Sequence, residues 1–292
     1  MFSEEPNPPP ARPQPRSTLM VTPSMSIPGR HFAHILVERR ALLFQLVRRD
    51  FQQRFVGSAV GWLWGFIHPL VMLLSYAFVF QACLHVQLRP GEVTRNYTLF
   101  LFAGFLPWLL FQEAVTRSAA SVVENAGLIT KTVFPAEVLP VSVFLSSLAN
   151  HLMALLLMLG AIGIWERRFS PWVFLLPLYM VLLGLLAVGF GWIVAALQVY
   201  IRDTAQMLSV VLTVWFWTTP ILLEESRFPP WAHPLVRWNP LAYVVRAYRD
   251  RLFSWRVPNP QDLAILAACS VAVFIMGGFL FRHLKRGFAD VL

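Results

Sequence analysis

Three short segments place charged side chains next to long apolar runs, and their chemistry suits contact with another protein. The first is an arginine cluster around one aspartate, the second combines a cation, an aromatic ring, a proline and a carboxylate, and the third is an arginine–aspartate pair. The residues are Arg48, Arg49, Asp50 and Arg54; Lys131, Phe134, Pro135 and Glu137; and Arg202 and Asp203. The second segment can seat in a cleft of a partner and move as one body. The first also suits anchoring to lipid headgroups, and the last also suits helix capping and a helix-end ion pair.

Aromatic side chains are the second feature with a recognisable chemistry. The chain holds 24 Phe, 11 Trp and 6 Tyr. Aromatic rings present flat apolar faces, and the C–H faces of sugars lie well against them, so a passage lined by rings would let a sugar polymer slide. The candidates for such a path are Trp62, Phe66, Tyr76, Phe105, Trp108, Phe111, Trp215 and Trp217. The alternative is the belt of Trp and Tyr that marks membrane interfaces.

Residues for catalysis or for binding ATP are missing from the sequence. A phosphate-binding loop needs Gly-Lys-Ser/Thr, and neither lysine, Lys131 or Lys285, follows a glycine. The two cysteines match no metal or disulfide spacing, and we find no catalytic set. The apolar runs carry few ionisable groups, and we interpret His151 as a structural hydrogen-bonding group rather than a proton relay. We therefore predict no cofactor in this chain and an external source of energy for any transport.

Composition places these residues on membrane-spanning helices. The 292 residues are 57% hydrophobic and 13% charged, with a mean hydropathy of +0.59, whereas soluble domains carry about 25% charged residues. Six uncharged runs reach or approach the ~20 residues that cross a bilayer. They are 55–88, 96–112, 138–165, 169–201, 204–223 and 263–281. The sequence predicts an all-α integral membrane protein with six transmembrane helices, and we attribute the net charge of +9 to anionic lipid rather than to nucleic acid.

The segments outside the spans give the domain organisation. Residues 1–29, with eight prolines, are predicted to be a disordered tail. Residues 30–55 are predicted to form an amphipathic helix in the membrane interface, and 56–292 the six-helix domain. With both termini inside, inner segments hold 14 Lys and Arg, and outer segments hold 10, of which six lie in the loop 224–261. This asymmetry favours cytoplasmic termini.

Two local patterns predict helix contacts. Asn239-Pro240 is typical of a helix start, and the apolar residues that follow at helical spacing predict a short amphipathic helix dipping into the outer leaflet, with Arg246, Arg249 and Arg251 elsewhere on its surface. Gly57, Gly61 and Gly65 recur every four residues, which predicts one helix face open to close packing. That face suits packing within the chain or against a second copy.

Several of these motifs, in this order, resemble one family. They are RRDFQQRFVGSAVGWLW at 48–64, GLITKTVFPAEVLP at 127–140, QVYIRDTAQ at 198–206, FWTTPI at 216–221 and NPLAYVVRAYRD at 239–250. The pattern resembles the permease subunit of type-2 ABC exporters of polysaccharide, which carry O-antigen, capsular polysaccharide or teichoic acid. The proline-rich N-terminal extension departs from the family pattern.

The resemblance implies partners and a location. It implies a homodimer bound to two copies of an ATP-binding subunit, which holds ATP and Mg, in the cytoplasmic (inner) membrane of a bacterium. It places a path for lipid-linked polysaccharide between the two permeases and assigns the outer hairpin, about 224–261, to an external gate. The gate residues implied are Asn239, Pro240, Tyr243, Arg246, Tyr248 and Arg249. The alternative is a type-2 exporter of drugs or small lipids.

Overall fold

The computed structural model describes residues 40–54, 57–89, 92–131 and 134–292. The predicted tail at 1–29 and the first ten residues of the predicted interfacial helix lie outside this range. Within it, every regular element is a helix. In chain order the helices are α1 (Arg40–Gln53), α2 (Gly61–Cys83), α3 (Tyr97–Glu124), α4 (Ala126–Lys131), α5 (Val138–Trp165), α6 (Pro171–Tyr200), α7 (Thr204–Thr218), α8 (His233–Trp238), α9 (Pro240–Phe253), α10 (Pro260–Leu284) and α11 (Phe288–Val291).

Five of these helices, α2, α3, α5, α6 and α10, are long and apolar enough to cross a membrane. Each has at least 23 residues, whereas about 20 suffice for a 30 Å hydrocarbon core. These helices confirm the predicted all-α membrane protein. The sixth predicted span corresponds to α7, which is apolar but shorter than the others.

Helix α7 ends earlier than the apolar run predicts. It has 15 residues, which at 1.5 Å per residue span only about 22 Å. Pro220 lacks an N–H and disfavours helical geometry in the residue before it, and Thr219 accordingly is extended, with φ −94° and ψ 132°. The prediction of a helix over 204–223 is therefore wrong in its last five residues.

Helix α3 lies at the centre of the molecule. It packs against α5, α6 and α9, and it buries side chains all round, Leu99, Phe102 and Phe111 among them. A helix that is apolar on every side is typical of such a central position.

The predicted glycine face is not formed. Gly57 and Gly61 have φ of +78° and +59°, the left-handed region that glycine adopts without strain, and they turn the chain before the regular part of α2. The close backbone approach occurs instead between α6 and α10, where a methyl group added at Gly277 would overlap the main chain of Gly189. Small residues at such contacts are common between membrane helices.

Candidate functional site

A network of two cations and two carboxylates joins the end of α1 to the C-terminal half of α3, on the side predicted to face the cytoplasm; we call it the inner charge network. Arg117 Nη2 lies 2.5 Å from Asp50 Oδ1, and Arg54 forms an ion pair with Glu113. Arg54 also donates to Ser147 Oγ on α5 at 3.1 Å, and Ser147 Oγ donates to Glu113 Oε1 at 3.1 Å. The network thus ties three helices together with no net charge.

The network is partly buried, and this sets its electrostatics. The four charged side chains expose between 15% and 34% of their surface. Burial raises the pKa of Asp50, but the hydrogen bond from Arg117 and the charges of Arg117 and Arg54 outweigh it, so the net pKa of Asp50 is lowered. Asp50 therefore stays ionised at neutral pH. Removing one partner of a buried ion pair destabilises the fold, because the remaining charge is left without compensation.

This geometry changes the interpretation of the first charged segment. Asp50 and Arg54 bind other helices of the same chain, and the exposed Arg49 donates to Asn125 Oδ1 at 2.9 Å. Arg48 is exposed. Contact of these four residues with a partner protein stays a prediction.

Sequence reasoning missed two members of the network, Glu113 and Arg117. The signal was present, because they are four residues apart with opposite charge in a span that is otherwise nearly uncharged. Asp50 and Arg54 have the same spacing. Ionisable residues inside spans mark functional sites by default. Residues at i and i+4 lie on one helix face, so each of the two oppositely charged pairs could have been predicted to bind the other.

A cavity of about 540 Å³ lies beside the network, between α2, α3 and α5. Its lining mixes polar residues, Arg54, Glu113 and Asn150 among them, with apolar ones such as Pro69 and Leu106. The whole lining is Arg54, Trp64, Gly65, His68, Pro69, Leu106, Leu109, Leu110, Gln112, Glu113, Thr116, Arg117, Ser147, Asn150, His151 and Ala154. Its volume is in the range of small-molecule sites.

His151 lines this cavity and also contacts the outer hairpin. Its Nε2 lies 3.0 Å from the hydroxyl of Tyr248 on α9, and both side chains are buried. This pairing is what a structural hydrogen-bonding histidine requires. The contact links the cavity directly to the predicted external gate.

The second charged segment is bound to the C-terminal end of the chain. Lys285 Nζ lies 2.8 Å from both carboxylate oxygens of Glu137, at the start of α5. The Tyr200 hydroxyl, at the end of α6, donates to the carbonyl of Leu284 at 2.7 Å. The C-terminal segment therefore holds the ends of two predicted cytoplasmic connections, a role that the sequence did not indicate for Lys285.

The remaining coupling residues differ in their surroundings. Lys131 is the last residue of α4, and Phe134 packs partly against the core, next to Pro135. Arg202 and Asp203 are exposed. Asp203 stands at the N-cap of α7 without a side-chain cap bond, and no ion pair joins it to Arg202 in the described part of the chain. The expected capping and ion pair are therefore wrong, and both side chains point to solvent.

The aromatic candidates form connected ring contacts. Tyr76 stacks on Phe105 with centroids 5.0 Å apart, and Phe216 contacts both Phe105 and Trp108, at 5.5 Å and 5.4 Å. Further along, Phe111, Trp215 and Phe190 are mutually in contact at 5.3 to 5.9 Å. Phe190 was not among the predicted aromatic residues.

Exposure divides the aromatic candidates into two sets. Phe111 has no exposed surface and Trp108 has 3%, so in this conformation they support other rings and do not reach a substrate. Trp62 and Trp217 expose 57% and 65% of their surface. Phe66 contacts Trp62 with ring centroids 6.0 Å apart. The role of the eight residues in a path stays a prediction.

The outer hairpin begins as the sequence predicts. Asn239 caps α9 by accepting from the Leu241 amide at 3.0 Å, and Pro240 is the first residue of the helix. Asn239 also accepts from Trp215 Nε1 at 2.8 Å and donates to Thr219 Oγ1 at 2.9 Å. One buried asparagine thus joins the start of α9 to the end of α7.

Helix α9 is more deeply buried than an amphipathic surface helix. It packs among α3, α6 and α10, and Arg249 and Arg251 expose only 7% and 2% of their surface. Arg246 is nearer the rim and binds Glu225 at 2.7 Å and Asp262 at 2.9 Å. The expectation that the helix dips into lipid with its arginines outside is wrong for Arg249 and Arg251.

Two further gate candidates also contact main chain or side chains of the same molecule. The Tyr243 hydroxyl donates to the Arg237 carbonyl at 2.8 Å, which joins α8 to α9. Tyr248 pairs with His151 as described above. The external gate itself stays a prediction.

The sequence matches a known family over most of its length. The family described as ABC-2 type transporter matches residues 41–253. The chain is 31% identical over 258 residues to the O-antigen export system permease protein RfbA of Myxococcus xanthus, covering 87% of this chain and 96% of that protein. It is 30% identical over 252 residues to RfbA of Klebsiella pneumoniae, covering 86% and 95%.

A more distant relative shares the same extent. The polysialic acid transport protein KpsM of Escherichia coli is 25% identical over 239 residues, which cover 81% of this chain and 91% of that protein. The matched region includes the inner charge network, the connections between the spans and the outer hairpin up to residue 253. On these grounds the chain belongs to the ABC-2 type transporter family.

Proposed function

We propose that this chain is the transmembrane permease of an ABC transporter that exports lipid-linked polysaccharide across the bacterial inner membrane. The observation that carries the proposal is the extended similarity, over 81–87% of the chain, to permeases named for O-antigen export and for polysialic acid transport. This similarity favours polysaccharide over drugs or small lipids as the substrate.

ATP hydrolysis takes place in a separate subunit that also holds Mg. The chain has no Gly-Lys-Ser/Thr loop of its own. Exposed residues at the predicted cytoplasmic end, Arg202 and Asp203 among them, are available for docking. Arg48 and Arg49 and the segment with Phe134 and Pro135 complete the surface that we assign to the ATP-binding subunit.

The inner charge network passes the movement of that surface into the spans. Asp50 lies in the last turn of α1 and Arg54 directly follows it, and their partners Glu113 and Arg117 lie on the central helix α3. A push on α1 therefore displaces α3 and the wall of the cavity beside it. Glu137, held by Lys285, does the same for the start of α5.

Two copies of the chain enclose the path. The exposed rings Trp62 and Trp217 lie on α2 and α7, whose outward faces carry many apolar side chains. In our proposal these faces meet the second copy and the glycan, and the buried rings behind them keep the wall rigid. The outer hairpin closes the far end, and both termini are cytoplasmic.

Reconstitution tests the proposal. Proteoliposomes holding this chain and its ATP-binding subunit should move a lipid-linked glycan in an ATP-dependent way. Liposomes with either subunit alone, and complexes with a hydrolysis-deficient ATP-binding subunit, should not. ATP hydrolysis by this chain alone would contradict the division of labour. Stimulation of ATP hydrolysis by amphiphilic drugs but not by glycan would instead favour the alternative substrate class.

A further inference from the structure

The non-helical segment after α7 is an unusual feature for a chain in a membrane. Helix α7 ends at Thr218, and the next residues leave helical geometry after only about 22 Å of helix. Main-chain groups without helical partners are costly at membrane depth, where they are tolerated only when protein satisfies them. The carbonyls of Pro220, Ile221 and Leu222 therefore need donors from other elements.

Arg249 supplies most of these donors. Its Nη1 donates to the Pro220 carbonyl at 2.7 Å and its Nη2 to the Ile221 carbonyl at 2.6 Å. Its Nε donates to the Phe100 carbonyl on α3 at 3.2 Å. The Tyr97 hydroxyl donates to the Leu222 carbonyl at 2.7 Å. Side chains of α9 and α3 thus satisfy three successive carbonyls.

The residues around Arg249 hold its guanidinium in place for these three hydrogen bonds. Its guanidinium lies 3.5 Å from the centre of the Phe100 ring, a cation–π contact, and no carboxylate forms an ion pair with it among the described residues. A methyl group added at Gly104 would lie 2.7 Å from Nη2. A buried arginine is expensive, so its binding to fixed main-chain oxygens, and not to a mobile carboxylate, points to a specific positional role.

We propose that Arg249 is a positioning residue that holds the broken outer end of α7 against α9 and α3, so that the aromatic residues at that end keep a fixed place while the substrate passes. The proposal rests on the proposed export function. Asn239 gives independent support, because it fixes Trp215 and Thr219 in the same stretch.

The experiment uses the full chain with Cys83 and Cys269 replaced by Ala and two spin labels, at Leu223→Cys after the break and at Trp238→Cys beside α9, both exposed sites. In R249M the distribution of distances between the two spin labels should broaden. In R249K, which keeps the charge but not the planar fork, it should broaden less. Gly104→Ala, which presses on the guanidinium, should act like a weak R249M and serves if R249M does not fold. Arg256→Met removes an exposed arginine and is the matched control.

The same variants are then assayed in the reconstituted complex for glycan exported per ATP hydrolysed. Each hydrogen bond from a charged donor contributes substantially to holding the segment after α7 in place. R249M should therefore lower the glycan exported per ATP at least about tenfold, while the rate of ATP hydrolysis changes less than about twofold. Unchanged distances in R249M and Gly104→Ala would overturn the proposal, and export lost with unchanged distances would assign Arg249 to substrate contact instead. The distance measurement needs no transport, so it decides even if the chain exports no glycan.

Discussion

The inner charge network and the outer end of α7 both bury arginines, but the arginines bind different groups. Arg54 and Arg117 bind side-chain carboxylates and keep 15% and 33% of their side-chain surface exposed beside a cavity. Arg249 binds main-chain carbonyls and is 7% exposed. Carboxylate partners can be exchanged by side-chain rotation, whereas main-chain oxygens cannot move independently of the fold. The comparison suggests a movable inner end and a fixed outer end.

The cost of removing one cation from the inner charge network should be the largest effect. Arg54→Met removes the closer cation of Glu113 in partly buried surroundings and leaves Arg117, whose Nη1 lies 3.9 Å from Glu113 Oε1. Breaking buried pairs costs about 3–5 kcal/mol, and because some exposure remains we expect about 3 kcal/mol of unfolding free energy. Chemical unfolding in mixed micelles measures it.

Arg48→Met is the matched control, because Arg48 lies in α1 just before Arg54 and is exposed. It should change the unfolding free energy by less than about 0.5 kcal/mol. Equal losses in the two variants would show that the network contributes no more than any surface charge, and the inner half of the comparison would fail.

Two asparagines at the outer end both cap the start of a helix but differ in their surroundings. Asn239 caps α9, is buried and makes two further side-chain bonds, whereas Asn259 caps α10 with one bond and is exposed. Loss of a cap costs about 1 kcal/mol, and the extra bonds about 1 kcal/mol more. We expect Asn239→Ala to cost about twice as much as Asn259→Ala in thermal unfolding of the purified chain. Equal costs would mean that Asn239 does not stabilise the end of α7.

The smallest effect should come from the ion pair between Glu137 and Lys285, which is partly solvent-exposed. Lys285→Glu places two carboxylates together, and the double variant with Glu137→Lys restores opposite charges. We expect a coupling energy of about 1 kcal/mol between the two substitutions, calculated from the rates of ATP hydrolysis and export by the complex. Recovery in the double variant assigns Glu137 to an internal contact. Without recovery, direct contact of Glu137 with the ATP-binding subunit is the better explanation. The ion pair between Glu137 and Lys285 would then not count among the exchangeable contacts of the inner end.

Much of the architecture follows from local sequence. The spans other than α7 were predicted because about 20 uncharged apolar residues dictate a helix in a bilayer. The start of α9 at Asn239-Pro240 was predicted because capping involves only neighbouring residues. The charged segments that are predicted to be cytoplasmic were also found from local sequence, although their binding partners were not.

Contacts between distant residues were not predictable in this way. Asp50 and Arg117 are 67 residues apart, and Arg249 and Phe100 are 149 apart. No local pattern indicates which of several arginines is buried. The arginines of α9 were therefore placed outside, where a helix with charged residues on one side ordinarily has them.

The sequence by itself determined that this chain is a helical membrane protein without an ATP-binding loop of its own, because composition and run length decide which solvent surrounds each helix. Tertiary structure decided which groups satisfy the main chain after α7, which charges pair and which arginine is buried. Those outcomes depend on main-chain carbonyls and carboxylates from distant segments, whose positions exist only once the helices have packed.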